Sequence, residues 1–112
     1  MLTARELYRV AATILGGDPD ALTDRTRDHN TIRARMAVAW VLRHRRSPPP
    51  SYPVIGKLLE RDHSSVIHLV RRADGLRVRD PAFLSLTDRL AVLASQDDAG
   101  SILRELGETL CS

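Results

Sequence analysis

Apolar residues recur at every third or fourth position in the segments that lie between glycine, proline and aspartate breakers. This is the spacing of one face of an α-helix, and no segment shows the alternation of a half-buried strand. A chain of 112 residues can bury one modest hydrophobic core. The pattern therefore predicts an all-α fold: a compact helical domain of about six helices over 1–96, followed by an acidic helical extension over 97–112.

Capping residues predict the ends of the first helices. Thr3 and Glu6 have the spacing of a capping box, and Gly16 follows the last apolar residue of that segment. Asp18 before Pro19 is the pattern of a cap followed by proline at the first helical position. We therefore expect one short turn of helix after the first helix.

The longest helical pattern begins with Asn30 or Thr31 as its cap and ends at the proline run 48–50. Because Trp40 shares the apolar stripe of this helix, it is expected to be a core residue rather than a ring that stacks on bases. The residues of the stripe are Ile32, Met36, Ala39 and Trp40.

Two shorter helical segments follow, separated by three or four residues. The first opens at Tyr52-Pro53, and the second, about 62–74, has Asp62 as its N-cap and Gly75 as its C-cap. Such a pair forms a helix-turn-helix unit. The residues predicted to face inward are Val54, Ile55, Leu58 and Leu59 in the first helix and Val66, Ile67, Val70 and Ala73 in the second.

The last helix of the domain is predicted to start at Asp80-Pro81, again a cap followed by proline. Its apolar face is wide, as expected for a helix that closes a core. The residues of this face are Phe83, Leu84, Leu86, Leu90, Val92 and Leu93.

Positive charge is concentrated in the middle of the chain. Residues 25–79 hold thirteen Lys or Arg residues against four acids, a net charge of +9, whereas the flanks hold four basic and ten acidic residues, a net charge of −6. Such segregation predicts an anionic partner for the middle stretch. A solvated basic face has the same composition.

Several classes of function are not indicated. The chain has a single cysteine, Cys111, and its four histidines lack a second ligand type at the spacing of a zinc site. The sequence also lacks the glycine-rich phosphate-binding pattern of ATPases, a Ser-His-Asp arrangement and an apolar run long enough to span a bilayer. We therefore expect no enzyme, no cofactor, no metal, no ATP and no membrane partner, in a cytoplasmic, nucleoid-associated protein.

The second of the two short helices is preceded by Arg61 and starts with a polar turn. Asp62 can accept the free amides of this turn, and the same helix terminus favours a DNA phosphate. His63, Ser64 and Ser65 lie where a recognition helix reaches base edges in the major groove. An ordinary capped helix has the same residues. The helix-turn-helix spacing, the basic surroundings, and Arg71 and Arg72 on the polar side of this helix favour DNA reading.

The sequence Arg-Asp-His-Ser-Ser-Val, residues 61–66, resembles the Arg-Asp-His-Thr-Thr-Val signature of one known family. This family is the C-terminal DNA-binding domain, domain IV, of the bacterial replication initiator DnaA. Residues 36–39, Met-Ala-Val-Ala, are similar to its Met-Ala-x-Ala motif, and residues 53–56 to its Pro-Glu-Ile-Gly. The resemblance covers about residues 5–95 and implies a TrpR-like helical domain with a helix-turn-helix.

The resemblance also implies the roles of individual residues. Asp62, His63 and Ser64 would contact bases in the major groove of an A·T-rich box, aided by a basic loop over 25–35. Phosphate contacts would give affinity and the base contacts specificity. The residues expected at the DNA backbone or minor groove are Arg25, Arg27, Arg33, Arg35, Lys57, Arg61, Ser65, His68, Arg71 and Arg72.

Three departures from the family pattern bear on the DNA site. Ser64 stands in place of a threonine whose methyl can pack on a thymine methyl, so this contact should be weaker. Ile32 stands in place of a minor-groove arginine, so either Arg33 or Arg35 supplies that contact from a shifted register or it is lost. The turn before Asp62 is one residue shorter than the family's Gly-Gly form.

The sequence thus predicts a stand-alone, sequence-specific binder of double-stranded DNA that acts in replication control or transcription regulation. A monomer is favoured, and dimerisation is left open. A phage or mobile element that uses the domain without the initiator's motor is one source for such a chain. The alternative is a protein-interaction adaptor on the same fold. It would engage a replication or transcription protein through the acidic C-terminal segment or the loop 48–50.

Overall fold

The structure, a computed structural model, describes residues 2–25, 27–46 and 48–94. Within these ranges the chain forms five α-helices and no strand, which confirms the predicted all-α fold. The acidic extension predicted over 97–112 lies outside the described residues, as does Cys111. The helices are α1 (Ala4–Leu15), α2 (His29–Arg45), α3 (Tyr52–Leu59), α4 (His63–Arg79) and α5 (81–94).

The ends of α1 are those that the sequence predicts. The Thr3 hydroxyl accepts the Glu6 N–H at 3.1 Å, and the Glu6 carboxylate accepts the Thr3 N–H at 3.1 Å, which completes the capping box. At the other end, Gly16 has φ 78°, the left-handed conformation that glycine adopts without strain. Local signals therefore define this helix.

The cap of α2 differs from the prediction. The N-cap is Asp28, neither Asn30 nor Thr31. Its carboxylate accepts both the N–H of Thr31 at 2.9 Å and the Thr31 hydroxyl at 2.6 Å. One carboxylate thus accepts both donors of Thr31 in the first turn. The helix therefore starts at His29, before the first apolar residue of its stripe.

The segment after α1 is a non-helical turn, so the short helix predicted at Asp18-Pro19 was wrong. The Asp18 carboxylate accepts the N–H of Asp20 at 2.9 Å. The Asp18 carbonyl accepts the N–H of Ala21 at 3.2 Å and the phenol of Tyr8 at 2.6 Å. An aspartate that bonds two residues along closes a turn instead of starting a helix. The described residues therefore contain five helices rather than about six.

Helix α4 is longer than predicted, because Gly75 does not end it. The helix continues through Gly75 to Arg79, and the N–H of Asp80 donates to the carbonyl of Leu76 at 2.8 Å. A glycine inside a helix costs only about 1 kcal/mol relative to alanine, an amount that packing can offset. The effective stop is Asp80 before Pro81, since proline disfavours helical conformation in the residue before it.

Helix α2 lies at the centre of the core and packs against α1, α3 and α4. Trp40 is 5 % exposed, which confirms its predicted place in the core. Large side chains from all five helices are buried together, among them Leu7, Tyr8, Val38, Leu42, Ile55, Leu59, Val66, Val70, Phe83 and Leu90.

Four apolar residues that were predicted to face inward are instead exposed: Val54 and Leu58 in α3, and Leu84 and Val92 in α5. Helical spacing gives the width of an apolar face, whereas burial depends on which neighbour covers it. In α5 this uncovered part lines, together with Ile14, a groove of about 640 Å³ beside α1. In the described ranges no helix is long and apolar enough to cross a membrane.

Candidate nucleic-acid interface

Helices α3 and α4 are joined by the tight turn 60–62. Glu60 is left-handed, with φ 53°, and the N–H of Arg61 donates to the carbonyl of Gly56 at 2.8 Å. A β-carbon on Gly56 would lie 2.4 Å from the Arg61 carbonyl oxygen, closer than real contacts. The absence of a side chain at position 56 therefore allows the two helices to pack against each other through so short a turn.

The first turn of α4 places the three predicted base-contact residues together. Asp62 is the N-cap, as predicted, and its carboxylate accepts the Ser65 N–H at 2.8 Å. Hydrogen bonds from the Ser65 side chain and then from its amide lower the pKa of Asp62. His63 and Ser64 are exposed, and neither side chain is bonded to another described residue. Their polar groups are available to a ligand.

A groove of about 600 Å³ lies beside this turn, between the loop before α2 and the side of α4. Five arginines contribute to its lining, and none of the described residues that line it is acidic, so it suits a phosphate-bearing polymer. Most of the predicted backbone or minor-groove residues therefore converge. The lining residues are Arg25, Arg27, Ile32, Arg35, Arg61, Ser65, His68, Leu69 and Arg72.

Arg35 is buried, whereas an arginine that contacts the minor groove is expected to be exposed. The residue is 4 % exposed, and its Nε donates to the Leu22 carbonyl at 2.8 Å. Its Nη2 donates to the carbonyls of Ala21 and Asp24. Burial lowers the pKa of the Arg35 guanidinium, and the positive charge of Arg61 lowers it further. Arg35 thus holds the loop that carries the exposed arginines.

Three further predicted residues lie at or beyond the edges of the basic groove. Arg33 is partly buried and forms an ion pair with Asp80 at 3.0 Å. Arg71 is exposed on α4, outside the groove lining. Lys57 is exposed on α3 and lines a separate depression beside Glu60. Of these three, Arg71 and Lys57 have side chains in solvent, whereas Arg33 is held by a carboxylate.

The sequence interpretation did not include two residues that extend the basic surface. His29 and Arg79 line a smaller cavity of about 220 Å³ that shares Ile32 and Arg72 with the basic groove. The spacing of Arg72 and Arg79, two turns apart on α4, is a usable signal for this extension. It was hidden by the expectation that α4 ends at Gly75.

No protein-family model matches this sequence, and a search of curated proteins finds no significant match. Within the part of the chain that the structure describes, no group of three or more His, Cys, Asp or Glu residues is arranged to hold a metal ion.

Proposed function

We propose that this protein binds double-stranded DNA in a sequence-specific manner. Helices α3 and α4 act as a helix-turn-helix, and the first turn of α4 enters the major groove. The observation that carries this proposal is the position of that turn: exposed His63 and Ser64, on a helix capped by Asp62, lie next to a groove lined by five arginines. Side chains suited to reading bases thus lie beside positive charge that attracts phosphates, and Arg25, Arg27 and Arg72 are the exposed arginines of that groove.

The two parts of this surface would have separate roles. His63 and Ser64 can donate to or accept from base edges, whereas Asp62 is an acceptor that suits the amino group of cytosine or adenine. Arg25 and Arg27 are exposed in the loop before α2 and can approach the phosphates or the minor groove. Since Arg35 is buried and Arg33 is ion-paired, we assign the loop contact to Arg25 and Arg27.

The resemblance to the DnaA C-terminal domain supports the same proposal and gives it a setting. A domain that reads a DnaA-box-like site without an ATPase acts by occupancy: it covers the site, competes with an initiator or recruits another protein. We therefore propose a role in replication control or transcription regulation. This role requires no nucleotide hydrolysis by the chain.

Selection of bound duplexes from a random pool tests the proposal directly. We expect one consensus sequence and, if about six phosphates are contacted, a loss of about 10³ in affinity between 50 and 200 mM salt. His63→Ala should weaken binding to the consensus by roughly 5- to 100-fold while non-specific binding persists. Val78→Ala, a change at an 87 % exposed position near the other end of α4, is the matched control.

Two results would reject DNA reading. The first is binding with neither sequence preference nor salt dependence. The second is full biological function of the His63→Ala variant with normal folding, which would favour the protein-interaction adaptor.

A further inference from the structure

Arg61 donates to the same loop as Arg35, although it comes from the turn before α4. Its Nη1 lies 3.1 Å from the carbonyl oxygen of Thr23, and its Nη2 lies 2.8 Å from that of Asp24. The Asp24 carbonyl also accepts from Arg35. Two guanidinium groups therefore bind the backbone of residues 21–24, which directly precede Arg25.

This arrangement brings two positive charges together. The charge of Arg61 lowers the pKa of Arg35, and within the described ranges neither arginine forms an ion pair with a carboxylate. Backbone carbonyls are their acceptors instead. A planar guanidinium can serve two carbonyls at fixed angles, whereas an ammonium is a single point charge. The loop is thus held by a planar donor arrangement that a lysine ammonium does not reproduce.

We propose that Arg61 is a positioning residue for DNA binding, which acts through the basic loop rather than by touching DNA. By joining the turn before α4 to residues 23–24, Arg61 fixes the separation between the loop arginines and the first turn of α4. This inference rests on the proposed DNA binding. It differs from the expectation that Arg61 contacts a phosphate or a guanine itself.

Limited trypsin digestion of the free, full-length protein tests the positioning without DNA. In Arg61→Gln and in Arg61→Lys, the first cleavage after Arg25 or Arg27 should become about tenfold faster, because hydrogen bonds from a charged donor are lost. The unfolding midpoint in urea is measured in parallel to exclude global unfolding. Arg71→Gln and Arg71→Lys, exposed changes on α4 outside the groove, should leave loop cleavage unchanged.

A double-mutant cycle on the selected duplex tests the consequence for binding. Arg61→Lys keeps the charge, so a phosphate contact would survive it, whereas positioning would fail. We expect Arg61→Lys to weaken binding about as much as Arg61→Gln. When Arg25 and Arg27 are also changed to Gln in Arg61→Lys, the affinity should fall little further, because the contacts of the loop with DNA are already lost. The slope of log affinity against log salt should also become less steep in Arg61→Lys, by the amount that corresponds to the loss of about two phosphate contacts.

Each outcome has a separate meaning. Wild-type affinity and an unchanged salt slope in Arg61→Lys, with weaker binding in Arg61→Gln and additive effects of the loop changes, would identify Arg61 as a direct phosphate contact and overturn the inference. Unchanged loop cleavage in both Arg61 variants would overturn it as well. If the wild-type protein binds no duplex, the proposed function fails, while the cleavage experiment still decides whether Arg61 holds the loop.

Discussion

Gly56 faces the carbonyl oxygen of Arg61 so closely that a β-carbon at position 56 would lie 2.4 Å from it. The same two residues are joined by the hydrogen bond from the Arg61 N–H to the Gly56 carbonyl at 2.8 Å. Because this bond fixes the turn, the clash cannot be relieved without moving α3 or the start of α4. The orientation of the proposed recognition helix therefore depends on a missing side chain.

Gly56→Ala should lower the free energy of unfolding by about 1–3 kcal/mol, the usual cost of overpacking. The gain of roughly 0.5–1 kcal/mol that alanine brings to a helix offsets part of this cost. Gly75→Ala is the matched control, since its β-carbon would have the Arg79 side chain as its nearest neighbour at 3.8 Å. That change should raise stability by roughly 0.5–1 kcal/mol. Urea unfolding measures both, and a gain in both variants would contradict the tight turn.

Glu60, in the turn between α3 and α4, has the left-handed backbone conformation. At φ 53° a residue with a β-carbon is strained by about 1–2 kcal/mol. Glu60→Gly removes this strain but increases the entropy of the unfolded chain, so a net gain of up to about 1 kcal/mol is expected. Lys57→Gly, at an exposed helical position, should instead cost about 1 kcal/mol. If Glu60→Gly and Lys57→Gly lower the free energy of unfolding equally, the backbone of Glu60 is unstrained.

Three aspartates cap helices, and the pKa of each is lowered: Asp28 at α2, Asp62 at α4 and Asp80 at α5. For Asp28 the main cause is the hydrogen bond from the Thr31 hydroxyl, followed by that from the Thr31 amide. A pKa lowered by folding adds stability that is full above the unfolded-state value, about 3.9. This contribution is lost as the pH falls through the folded-state pKa.

The urea midpoint of the wild-type protein should therefore fall as the pH is lowered from about 4 to about 2. Asp28→Asn should reduce this fall, because asparagine can still accept the Thr31 amide but does not titrate. Asp28→Ala should be less stable than Asp28→Asn at neutral pH, since it removes the cap altogether. An unaltered pH dependence in Asp28→Asn would contradict a role for this carboxylate in acid sensitivity.

The indole Nε1 of Trp40 donates to the Asp74 carboxylate at 2.7 Å, and the Arg77 guanidinium lies 3.9 Å from the centre of the ring. Asp74→Ala leaves a nearly buried donor unpaired, so it should lower the free energy of unfolding by about 1–2 kcal/mol. Asp88→Ala is the control. It removes the ion pair between the exposed Asp88 carboxylate and the mostly buried Arg77, and ion pairs at the surface contribute about 0–1 kcal/mol.

Fluorescence of the chain's single tryptophan follows unfolding in both variants. If Asp74→Ala lowers the free energy of unfolding no more than Asp88→Ala does, the hydrogen bond of the indole contributes nothing to stability.

Signals that act between near neighbours in sequence were sufficient for much of the fold. Thr3 with Glu6 and the cap Asp62 each bond residues three positions away, and both are correct. The end of α4 was not found, because Gly75 has the composition of a stop signal while its neighbours pack well enough to continue the helix. Local patterns therefore predicted the starts of α1 and α4 but not the cap of α2, nor the point where packing overrides a weak breaker.

The candidate site shows a different limit of sequence interpretation. His63 and Ser64 were placed correctly on an exposed turn, because helical spacing and the cap determine that exposure. Arg35 was expected at DNA but is buried against the carbonyls of 21–24. The sequence around an arginine in a basic stretch does not reveal whether its acceptors are phosphates or main-chain carbonyls. Only the path of the loop distinguishes these two cases.

Ser64 is the position at which the proposed DNA reading can be altered most directly. The residue is exposed in the first turn of α4, next to His63. Ser64→Thr adds a methyl group that can pack on the C5-methyl of thymine. Burial of one such group contributes about 0.8 kcal/mol, or roughly a fourfold gain in affinity. This gain is expected only for duplexes with thymine at the contacted position.

Parallel selections with the wild-type protein and the variant, followed by titration of matched duplexes, measure this difference. Ser65→Thr is the control, because Ser65 is half-buried and its amide is bonded to Asp62. A methyl group added there should leave base preference unchanged. If Ser64→Thr has the same consensus and affinities as the wild-type protein, Ser64 packs against no thymine methyl group, which contradicts the thymine contact expected at this position.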